Sequence, residues 1–84
     1  MAAYLQIKNL SDYPVISVLA DEKKIFRDVL QNQTTSYKPL YEGRTDFTII
    51  QNTEKPFLNT TLSLYPSLYY TLTIHNQSCM LDTS

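Results

Sequence analysis

This sequence predicts an all-β fold, built as a single β-sandwich or β-barrel, on three observations. The 84 residues include ten threonines, seven tyrosines and six isoleucines but only three alanines, and β-branched and aromatic residues favour strands. Seven short segments alternate apolar and polar side chains and are separated by turn-forming residues. No long window repeats its apolar residues every 3.6 positions, as an amphipathic helix requires. We therefore expect one domain over residues 1–84, with its core over residues 4–76 and a frayed polar tail over residues 77–84.

The first three strands are predicted by alternation and by the turns between them. Residues 4–8 alternate, with their two aliphatic side chains on one face. Residues 9–14 have turn chemistry and end in a proline. Residues 15–20 carry apolar side chains on both faces, which is typical of a strand in the middle of a sheet. The charged residues 21–24 form a turn, so residues 24–29 return as the second arm of a hairpin.

Four further strands are expected at residues 36–40, 45–50, 58–64 and 69–75. Pro39 cannot donate a ladder hydrogen bond, so its strand lies at a sheet edge or carries a bulge. Gly43 is the only glycine, and we expect it in a hairpin turn that requires a positive φ angle. The last strand has the clearest alternation, with Tyr70, Leu72 and Ile74 facing inward.

The alternating rows also predict which side chains meet between the two layers of the domain. A strand that shifted by one residue would turn its apolar row to solvent, so the row that is apolar defines the inward face. The residues expected to form the core are Ile16, Val18, Phe47, Ile49, Leu62, Leu72 and Ile74.

Composition and charge narrow the classes of function. Seven Lys and Arg residues against eight Asp and Glu residues give a formal net charge of −1, so we expect no nucleic-acid partner. No apolar run approaches the length of a spanning helix, so no membrane insertion is expected, and the first residues lack the layout of a signal peptide. A single glycine leaves no phosphate-binding loop and no nucleophile elbow. We expect no enzyme activity and no cofactor.

The few residues with metal or redox chemistry are isolated in the sequence. His75 closes the last predicted strand, where a surface histidine is the simpler interpretation than a metal ligand. Cys79 is read as a tail thiol, with an intermolecular disulfide as the alternative. Five carboxylates are interpreted as solvated turn residues, with a calcium site at one end of the sandwich as the alternative. They are Asp12, Asp21, Glu22, Asp28 and Asp46.

The tyrosines are the most unusual feature of the sequence. Tyr70 faces inward and is a candidate for a tyrosine corner across the turn at Pro66, with ordinary core packing as the alternative. Several other tyrosines should reach the surface, where aromatic rings with polar tips are favoured for recognition. The interaction surface that we predict comprises Tyr4, Gln6, Tyr37, Tyr41 and Tyr69.

An oligonucleotide- or carbohydrate-binding β-barrel is the alternative function. Tyr37, Lys38, Tyr41 and Arg44 lie within eight residues and could form an aromatic and basic platform of the kind that binds single strands. The near-neutral charge of the chain argues against a nucleic-acid platform.

Several spaced residues resemble a widespread bacterial family of short modules, catalogued as a domain of unknown function. They are Asp12-x-Pro14, Ile16-x-Val18-x-Ala20-Asp21, Phe26, Val29, Tyr37-x-x-Leu40-x-x-Gly43, Phe47-x-Ile49, Leu58-x-x-x-Leu62-x-Leu64 and Tyr69-Tyr70-Thr71-Leu72. Members of the family open with a pattern like Ser-Pro-Asp-Ala-Pro and end with a Tyr-Tyr-Thr strand. This chain has Leu10-Ser11 in place of Ser-Pro and Asp21-Glu22 in place of an Asp-Gly turn, so it resembles a divergent member.

The resemblance implies an immunoglobulin-like antiparallel β-sandwich of about seven strands. It also implies a non-catalytic binding or structural module, often secreted, at the cell envelope or in spore-associated proteins. An open sandwich leaves unpaired amides at its edge strands. We expect Pro39 and Lys38 to protect one edge, and the first strand, residues 4–8, to be unprotected. The predicted partner is therefore another protein or a second copy, paired through this strand or a neighbouring edge.

Overall fold

A computed structural model describes residues 1–83, which form eight β-strands and no helix. The strands are β1 (Ala2–Asn9), β2 (Val15–Ala20), β3 (Lys23–Leu30), β4 (Lys38–Tyr41), β5 (Gly43–Gln51), β6 (Pro56–Leu64), β7 (Tyr69–Ile74) and β8 (Cys79–Thr83). Each predicted strand is present, and β8 is additional to them.

The strands form two four-stranded sheets that pack face to face. The first sheet has the order β4-β1-β7-β8 and the second the order β3-β2-β5-β6. β1 runs parallel to β7, and all other neighbouring strands are antiparallel. The predicted all-β sandwich is confirmed, with eight strands rather than about seven and one parallel pair. β2 and β3 share a sheet, whereas the second and third strands of an immunoglobulin constant domain lie in opposite sheets.

Residues with positive φ angles lie at two points where the chain changes direction. Asp21 and Glu22 have φ angles of 49° and 70°, the pattern of a two-residue type I′ turn, so the predicted charged turn is shorter than expected. Gly43 has the predicted positive φ angle, 112°. It does not form a hairpin, however, because β4 and β5 lie in different sheets. Gly43 instead redirects the chain from the edge of one sheet into the other.

The predicted core is confirmed. Most of its members are fully buried between the sheets: Ile16, Val18, Phe47, Ile49, Leu72 and Ile74. Leu62 packs against them but is only half-buried, because its strand is the last of the second sheet and has a neighbour on one side only. Leu5, Ile7 and Phe26 are among the further members of the same cluster.

A buried asparagine organises one end of the sandwich. The Asn9 amide nitrogen donates to the carbonyls of Tyr13 and Val29 at 3.3 and 3.2 Å. Its side-chain oxygen accepts from the Ser11 N–H at 3.0 Å and from the Ser11 hydroxyl at 2.6 Å. Because both sheets contribute to these bonds, Asn9 ties the end of β1 to β3 while meeting its own hydrogen-bonding needs.

The predicted frayed tail is wrong, because most of it forms β8. Cys79–Thr83 pairs antiparallel with β7, and the side chains of Cys79 and Leu81 pack against the core. Residues 75–78 make the turn between these strands, and the His75 N–H donates to the Ser78 carbonyl at 2.8 Å. Ser84 lies outside the described residues.

The prediction that β1 is an unprotected edge is also wrong, because β1 lies between β4 and β7. The Tyr4 N–H donates to the Leu68 carbonyl at 2.9 Å, so the main chain of Tyr4 points toward β7. Tyr4 and Pro39 are therefore a pair without mutual hydrogen bonds, and the main chain of Pro39 faces away from β1. β4 is the edge, and Pro39 removes a donor from it, as expected for this proline.

The first and last described strands share one end of the first sheet. Tyr4 on β1 pairs with Tyr69 at the start of β7, and Thr83 at the end of β8 pairs with Tyr70. Only β7 separates the start of β1 from the end of β8.

Candidate interaction surface

The outer face of the first sheet carries most of the residues that the sequence predicts to form an interaction surface. Alternation turns Tyr4 and Gln6 of β1 outward, because Ala3, Leu5 and Ile7, which alternate with them, are buried. The same alternation turns Tyr69 and Thr71 of β7 outward. The parallel register sets Tyr4 beside Tyr69 and Gln6 beside Thr71, which produces two adjacent rows on this face.

Three aromatic rings form what we call the tyrosine cluster: Tyr4, Tyr37 and Tyr69. The rings of Tyr4 and Tyr69 are stacked, with centroids 4.6 Å apart and planes at 14°. Tyr37, immediately before β4, meets Tyr69 edge to face, with centroids 5.0 Å apart and planes at 89°. Both geometries are favourable for aromatic pairs and contribute about 0.5–1.5 kcal/mol each beyond buried area. The rings therefore hold one another in place.

The next row on the sheet is polar. The Gln6 amide nitrogen donates to the Thr71 hydroxyl at 2.8 Å. This bond fixes the amide of Gln6 against the sheet and leaves its carbonyl oxygen for other contacts. Gln6 belongs to the predicted interaction surface and Thr71 does not, although the alternation that turns Tyr69 outward also applies to Thr71.

The cluster remains open to solvent although its rings are mutually fixed. Tyr69 is 44% exposed, and Met80, which lies on the same face of β8, is 58% exposed. Lys8 and Asp82 place one positive and one negative charge on this face, so its formal charge is balanced. The surface thus combines exposed aromatic and thioether area with neutral hydrogen-bonding groups.

Tyr41 stands apart from the cluster. It pairs with Ala2 at the end of β4 and is 93% exposed. Its neighbour Leu40 packs against the core, and both residues line a groove of about 780 Å³. Ile25 of β3 lines the same groove, which therefore lies between the edges of the two sheets.

A comparison with protein-family models matches residues 3–84 of the chain to the family described as domain of unknown function DUF4397. The chain belongs to the DUF4397 family. The match continues through β8, so the segment expected to be a tail is part of the DUF4397 domain. No curated protein matches the chain.

The DUF4397 domain does not assemble the aromatic and basic platform considered from the sequence. The Lys38 ammonium donates to the Ile25 carbonyl at 2.6 Å and lies 5.1 Å from the centre of the Phe26 ring. It therefore reaches across to β3 rather than toward Tyr37. Arg44 lies on β5, in the other sheet.

The titratable residues considered from the sequence are spread over several strands and turns, although Asp21 and Asp46 contact each other. His75 is exposed at the end of β7. Cys79 is half-buried, and this burial raises the pKa of its thiol, which lowers its reactivity. Nowhere among residues 1–83 do three or more His, Cys, Asp or Glu side chains gather as metal ligands would. The same residues contain no helix with the length and apolar character that a membrane crossing requires.

Proposed function

We propose that this DUF4397 domain is a non-catalytic binding module that holds a protein partner on the outer face of its first sheet. The observation that supports the proposal is the tyrosine cluster, three partly exposed rings fixed on adjacent strands. The family resemblance further suggests that the module acts in an envelope- or surface-associated protein.

The cluster has the physical properties of a recognition surface. Tyrosine side chains offer large contact areas and lose little conformational entropy, because they have only two rotatable bonds. Here, stacking and the underlying strands already restrict the rings, so binding would immobilise them at a low further cost. The adjacent Gln6 and Thr71 supply neutral hydrogen-bonding groups at the rim of the cluster.

A protein partner fits this arrangement better than a sugar or a nucleobase. Sugars and bases bind tyrosine by stacking on the open face of a ring. One face of Tyr4 and one face of Tyr69 are used against each other, and Tyr37 packs edge to face with Tyr69. Stacking therefore leaves less open ring face in the cluster than a sugar or a base would use. Carbohydrate or oligonucleotide binding stays the alternative, with the isolated Tyr41 as the ring best exposed for it.

The test uses a displayed library of random peptides as the probe. Peptides selected on the wild-type domain are measured by calorimetry against Tyr69→Ser and against the control Tyr65→Ser. Tyr65 is exposed in the turn between β6 and β7, outside the cluster. We expect Tyr69→Ser to weaken binding about tenfold or more, as loss of a central aromatic anchor does, and Tyr65→Ser to leave it unchanged.

Peptides that bind both variants equally would contradict the proposal, provided that circular dichroism shows both to be folded. The same variants and Tyr41→Ser are measured against a glycan array and a thymidine oligonucleotide. Binding of either that depends on Tyr41 but not on Tyr69 would replace the proposed function with its alternative.

A further inference from the structure

β6 is one edge of the second sheet, and from Leu58 onward it has none of the usual devices that protect an edge. It is nine residues long, Pro56–Leu64, and pairs with β5 on one side only. Its sequence contains no charged residue, and its single proline and its bulge at Phe57 are confined to its first two positions, so residues 58–64 are regular. Long, uncharged edge strands readily pair with another strand, so natural proteins usually shorten, charge or bend them.

The other three edges carry such devices. β4 has four residues and directs Pro39 outward. β8 has five residues and includes Asp82. β3 carries several charged side chains and is bent by a bulge, where Asp28 has a φ angle of 54°. Residues 58–64 of β6 are therefore the exception among the four edges.

The direction of the free main-chain groups of β6 follows from bonds on the far side of β5. Both main-chain groups of Asp46 bond to Asp21 of the β2–β3 turn. The Asp46 carbonyl accepts from the Asp21 N–H at 2.8 Å, and the Asp46 N–H donates to the Asp21 side-chain carboxylate at 3.0 Å. Asp46 therefore points away from β6, and the next residue, Phe47, points toward its partner Thr60. The main chains of Asn59 and Thr61 consequently face outward.

We propose that β6 pairs antiparallel with β6 of a second copy, joining two second sheets into one continuous sheet. A two-fold axis at Thr60 brings the outward-facing Asn59 of each copy opposite Thr61 of the other. Each of these pairs then exchanges two main-chain hydrogen bonds. The same register sets Leu58 opposite Leu62, so the apolar row on the inner face continues across the axis.

The side chains on β6 leave the edge accessible for this pairing. The Asn59 amide turns back onto β5, donating to Asp46 Oδ1 at 3.1 Å, to the Phe47 carbonyl at 3.2 Å and to Thr48 Oγ1 at 2.9 Å. Thr61 is exposed and β-branched, which favours strands. No like charges oppose each other in the paired register, because β6 has none.

The first experiment compares Thr61→Pro with the control Thr61→Val by sedimentation equilibrium. Proline removes an outward N–H that β5 does not use, so the domain should stay folded, while valine keeps the N–H and the shape. By two-fold symmetry the proline removes two bonds from the dimer, so we expect its dissociation constant to rise about ten- to hundredfold. Thr61→Val should stay close to wild type.

The second experiment tests the register and does not rely on a proline. In a Cys79→Ser background, Thr60→Cys sets two thiols directly across the axis, whereas Ser63→Cys sets them far apart. We expect mild oxidation to cross-link Thr60→Cys and to leave Ser63→Cys monomeric.

A strictly monomeric wild type at high concentration would overturn the proposal. So would a dimer that a folded Thr61→Pro variant leaves unchanged, or equal cross-linking of the two cysteine variants. The tyrosine cluster lies on the other sheet, so these outcomes do not depend on the proposed function.

Discussion

The hydroxyl of Tyr70 accepts a hydrogen bond of 2.9 Å from the main-chain N–H of Tyr65. Tyr70 is buried at the start of β7, and Tyr65 directly follows β6 in the other sheet. The bond therefore spans the connection by which the chain passes from one sheet to the other. It is the tyrosine corner that the sequence suggested around Pro66, and it satisfies a polar group at the edge of the core.

Replacing Tyr70 with Phe should destabilise the domain. The ring still fills its place, but the N–H of Tyr65 loses its acceptor in a partly buried position, at a cost of about 1–3 kcal/mol. Urea unfolding measures this free energy. The control is Tyr69→Phe, which removes an exposed hydroxyl and should change stability by less than about 0.5 kcal/mol. Equal effects of the two substitutions would show that the corner bond contributes little.

Replacing Phe47 with Ala tests the core assignment. Phe47 is fully buried on β5 between the two sheets, so its removal leaves a cavity and should cost about 3–5 kcal/mol. That is a large share of the stability of a domain of this size, and partial or complete unfolding is expected in thermal melts. Leu30→Ala, at an exposed position, is the control. An unchanged melting temperature for Phe47→Ala would contradict the assignment.

The thiol of Cys79 should respond to pH in a defined direction. Burial raises the pKa of this thiol, so the folded protein keeps its proton at pH values where the unfolded chain has lost it. The resulting stability is fully present below the usual thiol pKa and is lost as pH rises through the higher pKa of the folded state. We expect the free energy of unfolding to fall more steeply for wild type than for Cys79→Ser between about pH 7 and about pH 10.

Alkylation of the same thiol gives an independent measurement. At about pH 8, iodoacetamide should modify Cys79 more slowly in the folded domain than in the denatured chain, because less thiolate is present and access is reduced. Equal rates in both states would show that β8 does not hold this residue against the core.

Much of the fold could be predicted from single strands. The alternation in β7 assigned Tyr70, Leu72 and Ile74 to the core because a sheet with one buried face repeats every two residues. The proline in β4 indicated an edge because its missing N–H is incompatible with a strand bonded on both sides. Both signals are local, so they can be read before any pairing is known.

The order of the strands could not be predicted, because it depends on pairing between segments far apart in the chain. The inner place of β1 comes from β4 on one side and from a parallel contact with β7 on the other. Nothing within β1 itself distinguishes this place from an edge. β8 was missed for another reason: it is short, and its only apolar side chains that face inward are those of Cys79 and Leu81. Their spacing of two residues was the available signal.

For the candidate surface too, local signals predict some features, and others depend on the strand order. Alternation predicted that Tyr4 and Tyr69 face outward, and both do. Their stacking follows from the β1–β7 register, and the contact of Tyr37 with Tyr69 follows from the place of β4 beside β1. The sequence predicts which residues of the candidate surface face outward, but only the strand order brings their side chains together.

The shared end of β1 and β8 has a consequence for how the chain can be rearranged. Tyr4 and Thr83 flank the start of β7, so two interstrand spacings, about 10 Å, separate the strands that carry them. A linker of roughly four residues can bridge that distance. The start of β1 and the end of β8 are therefore close enough to be joined by a short linker. Circular permutants with new termini in the turn between β5 and β6 should fold. A label fused at the start of β1 or at the end of β8 would instead lie near Tyr4 and Tyr69, so permutants offer a way to label the domain without covering those rings.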